Sequence, residues 1–190
     1  PFDNYENVLR FLELITHKEG KNLSQRGITV STCGLVPRIR EFAELETAVN
    51  LAISLHAPND EIRSKTMPVN DRWNIDEHLK ACKDYIRATH RRISFEYALA
   101  KDNNDNLDDA RELAKLLKGM LAHVNLIPIN KIEDGKYTKS TNENIIKFRD
   151  YLNDHGIVAT IRRELGSDIS AACGQLRKSY MDQHKNNATL

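Results

Sequence analysis

Residues 93–130, ISFEYALAKDNNDNLDDARELAKLLKGMLAHVNLIPIN, contain a strand, a helix and a second strand in that order. Ile93–Leu99 is a short run rich in branched and aromatic side chains, which favours a strand. Leu107–Lys118 has apolar residues at helical spacing and is followed by Gly119, a common helix terminator. Val124–Asn130 is again typical of a strand. A strand–helix–strand unit of this length predicts two parallel strands joined by a helical crossover.

The same alternation extends over the rest of the chain, which predicts an α/β fold with a parallel sheet or barrel. Ser140 and Glu143 predict a capping box at the start of the last helix. Pro128, inside a strand, predicts an edge strand or a β-bulge. The remaining predicted elements are helices at Asn4–Lys18 (ended by Gly20), Arg38–Leu45 and Ile75–Ile86, a helix that stops at Gly156, and strands at Gly27–Ser31, Ala48–Leu55 and Ile157–Ile161.

Composition allows one domain with a sizeable core and sets few limits on function. The chain has 190 residues, of which 40% are hydrophobic, and its formal net charge is +1. This balance neither requires nor excludes a nucleic-acid partner. No apolar run resembles a signal peptide or a membrane span, so we expect a cytoplasmic protein with reduced thiols. Because the chain begins at Pro1 and enters a helix almost at once, we also expect a fragment of a longer protein.

Several common catalytic motifs are absent from the sequence. No Gly-x-Gly-x-x-Gly follows the first strand, and there is no Walker motif and no His-Glu-x-x-His. Cys33, Cys82 and Cys173 are too widely scattered to form a spaced thiolate cluster. Cys82 lies on an apolar helical stripe, which indicates a core thiol. Cys33 follows a strand end, where a small residue filling a turn is the simpler interpretation.

Polar residues collect where the predicted strands end, at Ser31, Ser54, His56 and Asn130. Barrel enzymes build their sites at this edge, so these residues are candidate ligand contacts. The simpler alternative is that strands must end in something polar, and that Ser54-Leu-His-Ala-Pro-Asn-Asp60 is an ordinary turn. The residue types alone favour the turn.

Cys173 lies in the segment Gly166-Ser-Asp-Ile-Ser-Ala-Ala-Cys-Gly-Gln-Leu176, among small residues. A packed core thiol usually has large apolar neighbours, because it behaves as a small hydrophobe. A thiol that must meet another molecule needs room and a mobile backbone, which alanine and glycine supply. Cys173 is therefore the candidate reactive thiol of the chain.

Four ordered blocks of this sequence resemble the radical S-adenosylmethionine RNA methyltransferases of the RlmN/Cfr type. They are 28–37 (ITVSTCGLVP), 51–60 (LAISLHAPND), 124–130 (VNLIPIN) and 166–176 (GSDISAACGQL). The resemblance runs from about Asp3 to Arg177. It implies the C-terminal portion of a partial (βα)6 barrel in residues 1–165, followed by a catalytic-cysteine segment and polar tail in residues 166–190.

The resemblance also implies the chemistry and its residues. S-adenosylmethionine contacts map onto Ser31, Ser54, Leu55, His56 and Asn130, and the catalytic cysteine maps onto Cys173. That thiol would accept a methyl group from one S-adenosylmethionine and become S-methylcysteine. A second S-adenosylmethionine, cleaved reductively, would give an adenosyl radical that takes a hydrogen from the S-methyl group. The resulting carbon radical would add to an adenine of RNA, and a second cysteine would release the product by forming a disulfide with Cys173. The family's [4Fe–4S] cluster uses a Cys-x-x-x-Cys-x-x-Cys motif, which this chain lacks together with the partner cysteine. We therefore expect the fragment alone to be inactive.

The implied substrate is adenine C2 of large-subunit ribosomal RNA and of transfer RNA, with an external electron donor and a monomeric enzyme. One alternative within the family is adenine C8, as in the Cfr group. Another is a non-enzymatic binding module without a cluster. A third is an unrelated metabolic barrel, which the absence of a late glycine-rich phosphate loop disfavours.

Overall fold

The computed structural model describes residues 1–129 and 137–163. In this part of the chain, the strands form one sheet whose spatial order follows the sequence, β1-β2-β3-β4-β5, and every neighbouring pair is parallel. The α/β prediction is confirmed, and a consecutive parallel sheet agrees with a partial barrel. The strands are β1 (Thr29–Thr32), β2 (Asn50–Ser54), β3 (Ile93–Leu99), β4 (Ala122–Pro128) and β5 (Ala159–Ile161).

Helices connect successive strands. Because parallel crossovers share one hand, strands in sequence order place their crossover helices on the same face of the sheet. The helices are α1 (Tyr5–Thr16), α2 (Val36–Glu44), α3 (Asp60–Ser64), α4 (Ile75–Thr89), α5 (Leu107–Leu117) and α6 (Asn142–Asp154). Short 3-10 turns lie at Phe2–Asn4, Gln25–Gly27 and Pro68–Asp71.

The core lies between the sheet and these helices. In β3, Ile93, Phe95, Tyr97 and Leu99 are fully buried, whereas the residues between them are partly exposed. Parallel sheets covered on both faces usually have continuous apolar strands. The alternation here means that the second face of the sheet carries a different set of side chains. Cys82 on α4 is fully buried in the core, as predicted.

The last helix begins differently from the prediction. Thr141 caps α6, because its hydroxyl accepts the amide of Asn144 at 3.2 Å. Ser140 instead donates its hydroxyl to the carboxylate of Asp105 and is buried there. The predicted capping box of Ser140 and Glu143 is therefore wrong, since a long-range hydrogen bond takes the Ser140 hydroxyl.

Pro128 lies neither in an edge strand nor at a bulge, so this prediction is also wrong. β4 has β3 on one side and β5 on the other, and its register with β3 is continuous through Leu99 and Pro128. Pairing with β5 stops at Leu126 and Ile161, two residues before the proline. The missing N–H of Pro128 consequently interrupts no described ladder.

Candidate functional site at the polar face of the sheet

The strand registers bring a set of small and polar side chains onto one face of the sheet, away from the core. Ser31 lies opposite Ala52, and Ala52 lies opposite Ser94. One step further along the strands, Ser54 lies opposite Glu96. We call this surface the polar face; it comprises Ser31, Ala52, Ser54, Ser94, Glu96, His123, Asn125 and Thr160.

The structure places Ser31 and Ser54 on this common face of neighbouring strands. Ser31 is exposed on β1, and Ser54 is half-buried at the end of β2. Ser54 lies two residues beyond Ala52, the partner of Ser31, on a strand about 4.8 Å away, so a small ligand can reach both hydroxyls. The sequence-predicted serines therefore share one surface, although they come from segments more than twenty residues apart.

Leu55 is oriented differently from its two neighbours. Its side chain is fully buried in the core. Its amide donates to the carbonyl of Glu96 at 3.0 Å, and its carbonyl accepts from Nε of Arg63 at 3.2 Å. The Leu55 side chain thus anchors the end of β2, and any ligand contact here falls to the backbone.

His56 follows in the left-handed region with φ of +58°, which turns the chain out of the strand. Its Nδ1 accepts the amide of Ala98 at 3.0 Å, so the neutral ring carries its proton on Nε2. Its carbonyl accepts from Nδ2 of Asn104 at 2.7 Å. Burial, and secondarily the positive charge of Arg63, lowers the pKa of His56 to about 4. His56 is therefore a neutral Nε2–H donor at physiological pH.

Arg63 is a positioning residue that the sequence did not reveal. It is fully buried. Its Nη2 donates to the carbonyl of Cys33 at 2.8 Å and reaches that of Ser54 at 3.4 Å, and its Nη1 donates to Oδ1 of Asn70 at 2.9 Å. Burial lowers the pKa of this guanidinium. Arg63 thus joins the loops that follow β1 and β2. In the sequence it resembles any surface arginine of a short helix.

The loop after β1 is shaped by the contact between Gly34 and His78. Gly34 has φ of +106°, and a Cβ added to it would lie 2.4 Å from Nε2 of His78. His78 is fully buried, and neither ring nitrogen has a hydrogen-bond partner in the described part of the chain. Cys33, the residue before the glycine, is exposed. The glycine is therefore required both by backbone conformation and by the imidazole beside it.

Glu96 and Asn125 form a pair in the middle of the polar face, which the sequence analysis also missed. Nδ2 of Asn125 donates to Oε2 of Glu96 at 2.8 Å. Both residues are half-buried and lie in register on β3 and β4. An alternating strand residue gives no signal of this pairing until the register of the two strands is known.

Asn130 and Cys173 lie outside the described residues. A cavity of about 260 Å³ lies at the carboxyl ends of β4 and β5, the edge from which the chain continues toward Asn130. It is lined by Pro128, Lys139, Asn142, Ile145, Ile146, Ile161 and Arg162.

Among the described residues, no group of three or more His, Cys, Asp or Glu side chains could hold a metal ion. Of the described cysteines, Cys82 is enclosed in the core and Cys33 is exposed, so they do not fit a [4Fe–4S] ligand set.

Proteins of known structure share this parallel sheet. The chain is similar to a solved radical SAM methyltransferase from Sphaerobacter thermophilus, with 47% identity and a TM-score of 0.89 over 92% of this chain and 51% of that one. A domain of the pyruvate-formate lyase-activating enzyme from Bacteroides vulgatus has a TM-score of 0.57 at 20% identity, which supports the fold alone. No family model matches the chain.

The chain is homologous to RNA methyltransferases named RlmN over nearly its whole length. It is 56% identical over 181 residues to a probable dual-specificity RNA methyltransferase RlmN from Clostridium botulinum, and 56% identical over 180 residues to one from Clostridioides difficile. Each match covers 95% of this chain and 52% of the relative. The resemblance stated from the sequence is confirmed, and the chain spans about half the length of the curated relatives it matches.

No helix among the described residues is long and apolar enough to cross a membrane.

Proposed function

We propose that this chain is the C-terminal part of a cytoplasmic, monomeric radical S-adenosylmethionine RNA methyltransferase that methylates adenine C2. The substrates would be large-subunit ribosomal RNA and transfer RNA, and an external donor would supply electrons. The observation that carries the proposal is the identity of 56% to an RlmN-named methyltransferase over 95% of the chain. The polar face supports it, because its residues are those that a small polar cofactor requires.

The described residues fit the binding of S-adenosylmethionine. Ser31 and Ser54 present hydroxyls on one face, and His56 presents a neutral Nε2–H donor beside them. Such groups can bind the polar atoms of the cofactor without adding a charge. Once bound, S-adenosylmethionine supplies the methyl group. We propose that Asn130 also binds it, at the end of the strand segment that contains β4.

Cys173 is proposed as the residue that carries the methyl group. A thiolate is a nucleophile and can accept a methyl group, whereas adenine C2 is not nucleophilic enough to take one by polar transfer. We further propose that residues 166–190 form a catalytic segment distinct from the barrel of residues 1–165. A [4Fe–4S] cluster and the second cysteine would have to come from sequence that this chain does not contain.

The test uses the complete protein that contains this chain, with its cluster reconstituted. The protein is incubated with ribosomal RNA or transfer RNA and S-adenosylmethionine, and the nucleosides are separated and weighed by mass spectrometry. We expect 2-methyladenosine. The formation of 8-methyladenosine would support the C8 alternative, and the absence of any methylated adenosine would contradict both assignments.

A Cys173→Ala variant separates catalysis from assembly. We expect it to retain the iron content and the absorption of the cluster and to lose all RNA methylation. Cys33→Ala is the matched control, since Cys33 is exposed and belongs to a turn after β1. Retained methylation in Cys173→Ala would contradict the role given to this thiol.

A further inference from the structure

The carboxylate of Glu96 occupies the middle of the polar face, but none of the roles assigned so far uses it. It lies opposite Ser54 of β2 on one side and opposite Asn125 of β4 on the other. Its backbone carbonyl receives the amides of Leu55 and His56, at 3.0 and 3.3 Å. Glu96 is therefore attached directly to the loop that carries two candidate cofactor contacts.

One carboxylate oxygen of Glu96 has a fixed partner. Asn125 donates Nδ2–H to Oε2 at 2.8 Å, which sets the plane of the carboxylate. An ionised carboxylate accepts through two oxygens and about four lone-pair positions, so this bond leaves most of its capacity free. The ion pairs found among the described residues do not include Glu96. Because it is half-buried and has no cation partner among the described residues, it is suited to accept hydrogen bonds from a ligand.

The neighbours of Glu96 indicate which ligand group it accepts. Ser54 and Asn125, opposite it on the two adjacent strands, are neutral groups that can both donate and accept. One acid among neutral hydrogen-bonding side chains is the arrangement that recognises a sugar diol, as in the acidic residue that binds ribose hydroxyls in dinucleotide folds. Two vicinal hydroxyls provide two donors for the carboxylate and acceptors for the amide and the serine.

We propose that Glu96 is a binding residue for the ribose hydroxyls of S-adenosylmethionine and that Asn125 positions its carboxylate. This inference rests on the proposed function, because it places the same cofactor on the polar face. It adds a specificity element: the site selects a ribose that carries free hydroxyls, through a residue located two strands away from Ser31.

The experiment measures binding by calorimetry to the complete protein. The probes are S-adenosylhomocysteine and its 2′,3′-dideoxy analogue, each tested with wild-type protein and with Glu96→Gln. S-adenosylmethionine is titrated into the same two proteins as a separate comparison. Glutamine keeps the shape but loses the charge and replaces one acceptor with a donor. We expect S-adenosylhomocysteine to bind Glu96→Gln about tenfold to a hundredfold more weakly, which is typical of one lost charge-assisted hydrogen bond. The dideoxy analogue should bind both proteins equally.

Glu112→Gln provides a matched control. Glu112, on α5, also accepts an asparagine amide at 2.8 Å, from Asn59, but it is exposed and lies away from the polar face. This variant should bind both probes as the wild type does. Asn125→Ala should weaken binding of S-adenosylhomocysteine by a smaller factor than Glu96→Gln and again leave the dideoxy analogue unaffected. Thermal unfolding of each variant checks that the fold is intact.

Three results would overturn the proposal. Unchanged binding of both probes to Glu96→Gln would mean that the carboxylate does not contact the ligand. Equal weakening for both probes would assign the effect to another part of the ligand or to the fold. A loss confined to S-adenosylmethionine, with S-adenosylhomocysteine unaffected, would identify the sulfonium charge as the group recognised. If the wild type binds neither S-adenosylmethionine nor S-adenosylhomocysteine, the proposed function itself fails, and this inference fails with it.

Discussion

Nη2 of Arg63 lies 2.8 Å from the carbonyl oxygen of Cys33, and this hydrogen bond joins loops that follow two different strands. The same guanidinium binds the carbonyl of Leu55 and the side chain of Asn70. The buried guanidinium of Arg63 is thus bound by carbonyl and amide oxygens rather than by a carboxylate. The arrangement fixes the chain on either side of the candidate cofactor contacts.

Replacing Arg63 with methionine should destabilise the protein strongly. The substitution keeps an apolar stem of similar length, but it leaves the carbonyls of Cys33 and Leu55 and the amide of Asn70 without their donor. We expect a loss of about 3–5 kcal/mol, because each of these three buried acceptors left without a donor costs about 1–3 kcal/mol. Urea unfolding of the purified protein measures it. Arg87→Met, at an exposed ion pair with Asp84, should change stability by less than about 0.5 kcal/mol. Equal losses for the two variants would contradict the positioning role of Arg63.

Gly34→Ala should cost more than Gly119→Ala, although both glycines have positive φ. The two alanines share the backbone strain of the left-handed region, about 1–2 kcal/mol. At Gly119 no described residue lies within 4 Å of the added Cβ, whereas at Gly34 the imidazole of His78 would be 2.4 Å away. The difference between the two free energies of unfolding isolates the clash. In a His78→Ala background this difference should shrink, and an unchanged difference would show that the imidazole is not its cause.

Stability should fall in mild acid because of His78. Burial, and secondarily the charge of Arg63, lowers its pKa to about 3, against 6.5 for an unperturbed histidine. Between pH 6.5 and pH 3 the unfolded chain therefore binds a proton at His78, whereas the folded chain does not. The free energy of unfolding keeps its full contribution from neutral His78 above pH 6.5 and loses it as pH falls toward 3. The loss between pH 8 and pH 5 is about 2 kcal/mol from this residue alone. His56, whose pKa is about 4, adds to this loss of stability as the pH falls.

His78→Leu tests this assignment directly. It removes the titrating group together with two buried nitrogens that have no hydrogen-bond partner among residues 1–129 and 137–163. We expect the variant to be at least as stable as the wild type at pH 8 and to show a shallower decline down to pH 5, measured by urea unfolding at each pH. Phe11→Leu, at an exposed position that does not titrate, should keep the wild-type slope. An unchanged slope in His78→Leu would refute the role of His78 in acid sensitivity.

The sequence predicted most of the fold because its signals are local. β3 was predicted at the bounds observed, Ile93–Leu99, and α5 differed by one residue. The errors came from long-range contacts. The hydroxyl of Ser140 donates a hydrogen bond to Asp105, which lies 35 residues earlier, instead of capping the helix. Local residue spacing cannot reveal such a long-range hydrogen bond. Pro128 is tolerated in a central strand because the pairing of β4 with β5 ends at Leu126, before it reaches the proline.

The candidate site divides in the same way. Ser31, Ser54 and His56 could be named as candidates because they lie near strand ends, within blocks that resemble a known family. Arg63 and the pair of Glu96 and Asn125 could not, because their importance depends on burial and on strand register, which appear only in three dimensions. For Asn130 and Cys173, the sequence remains the basis of the prediction.

The two described cysteines should differ sharply in reactivity. Cys33 is exposed, whereas Cys82 is fully buried and burial raises its pKa to about 12. Because the thiolate is the reactive form, an aromatic disulfide reagent added to the native protein should label Cys33 within minutes and spare Cys82 until the protein unfolds. Peptide mass spectrometry of a Cys173→Ser protein removes the third thiol from the comparison. Cys82→Ala should also lower stability by about 1–2 kcal/mol through lost packing, whereas Cys33→Ala should leave it unchanged. Labelling of Cys82 in the native state at the rate of Cys33 would mean that α4 opens far more often than its burial implies.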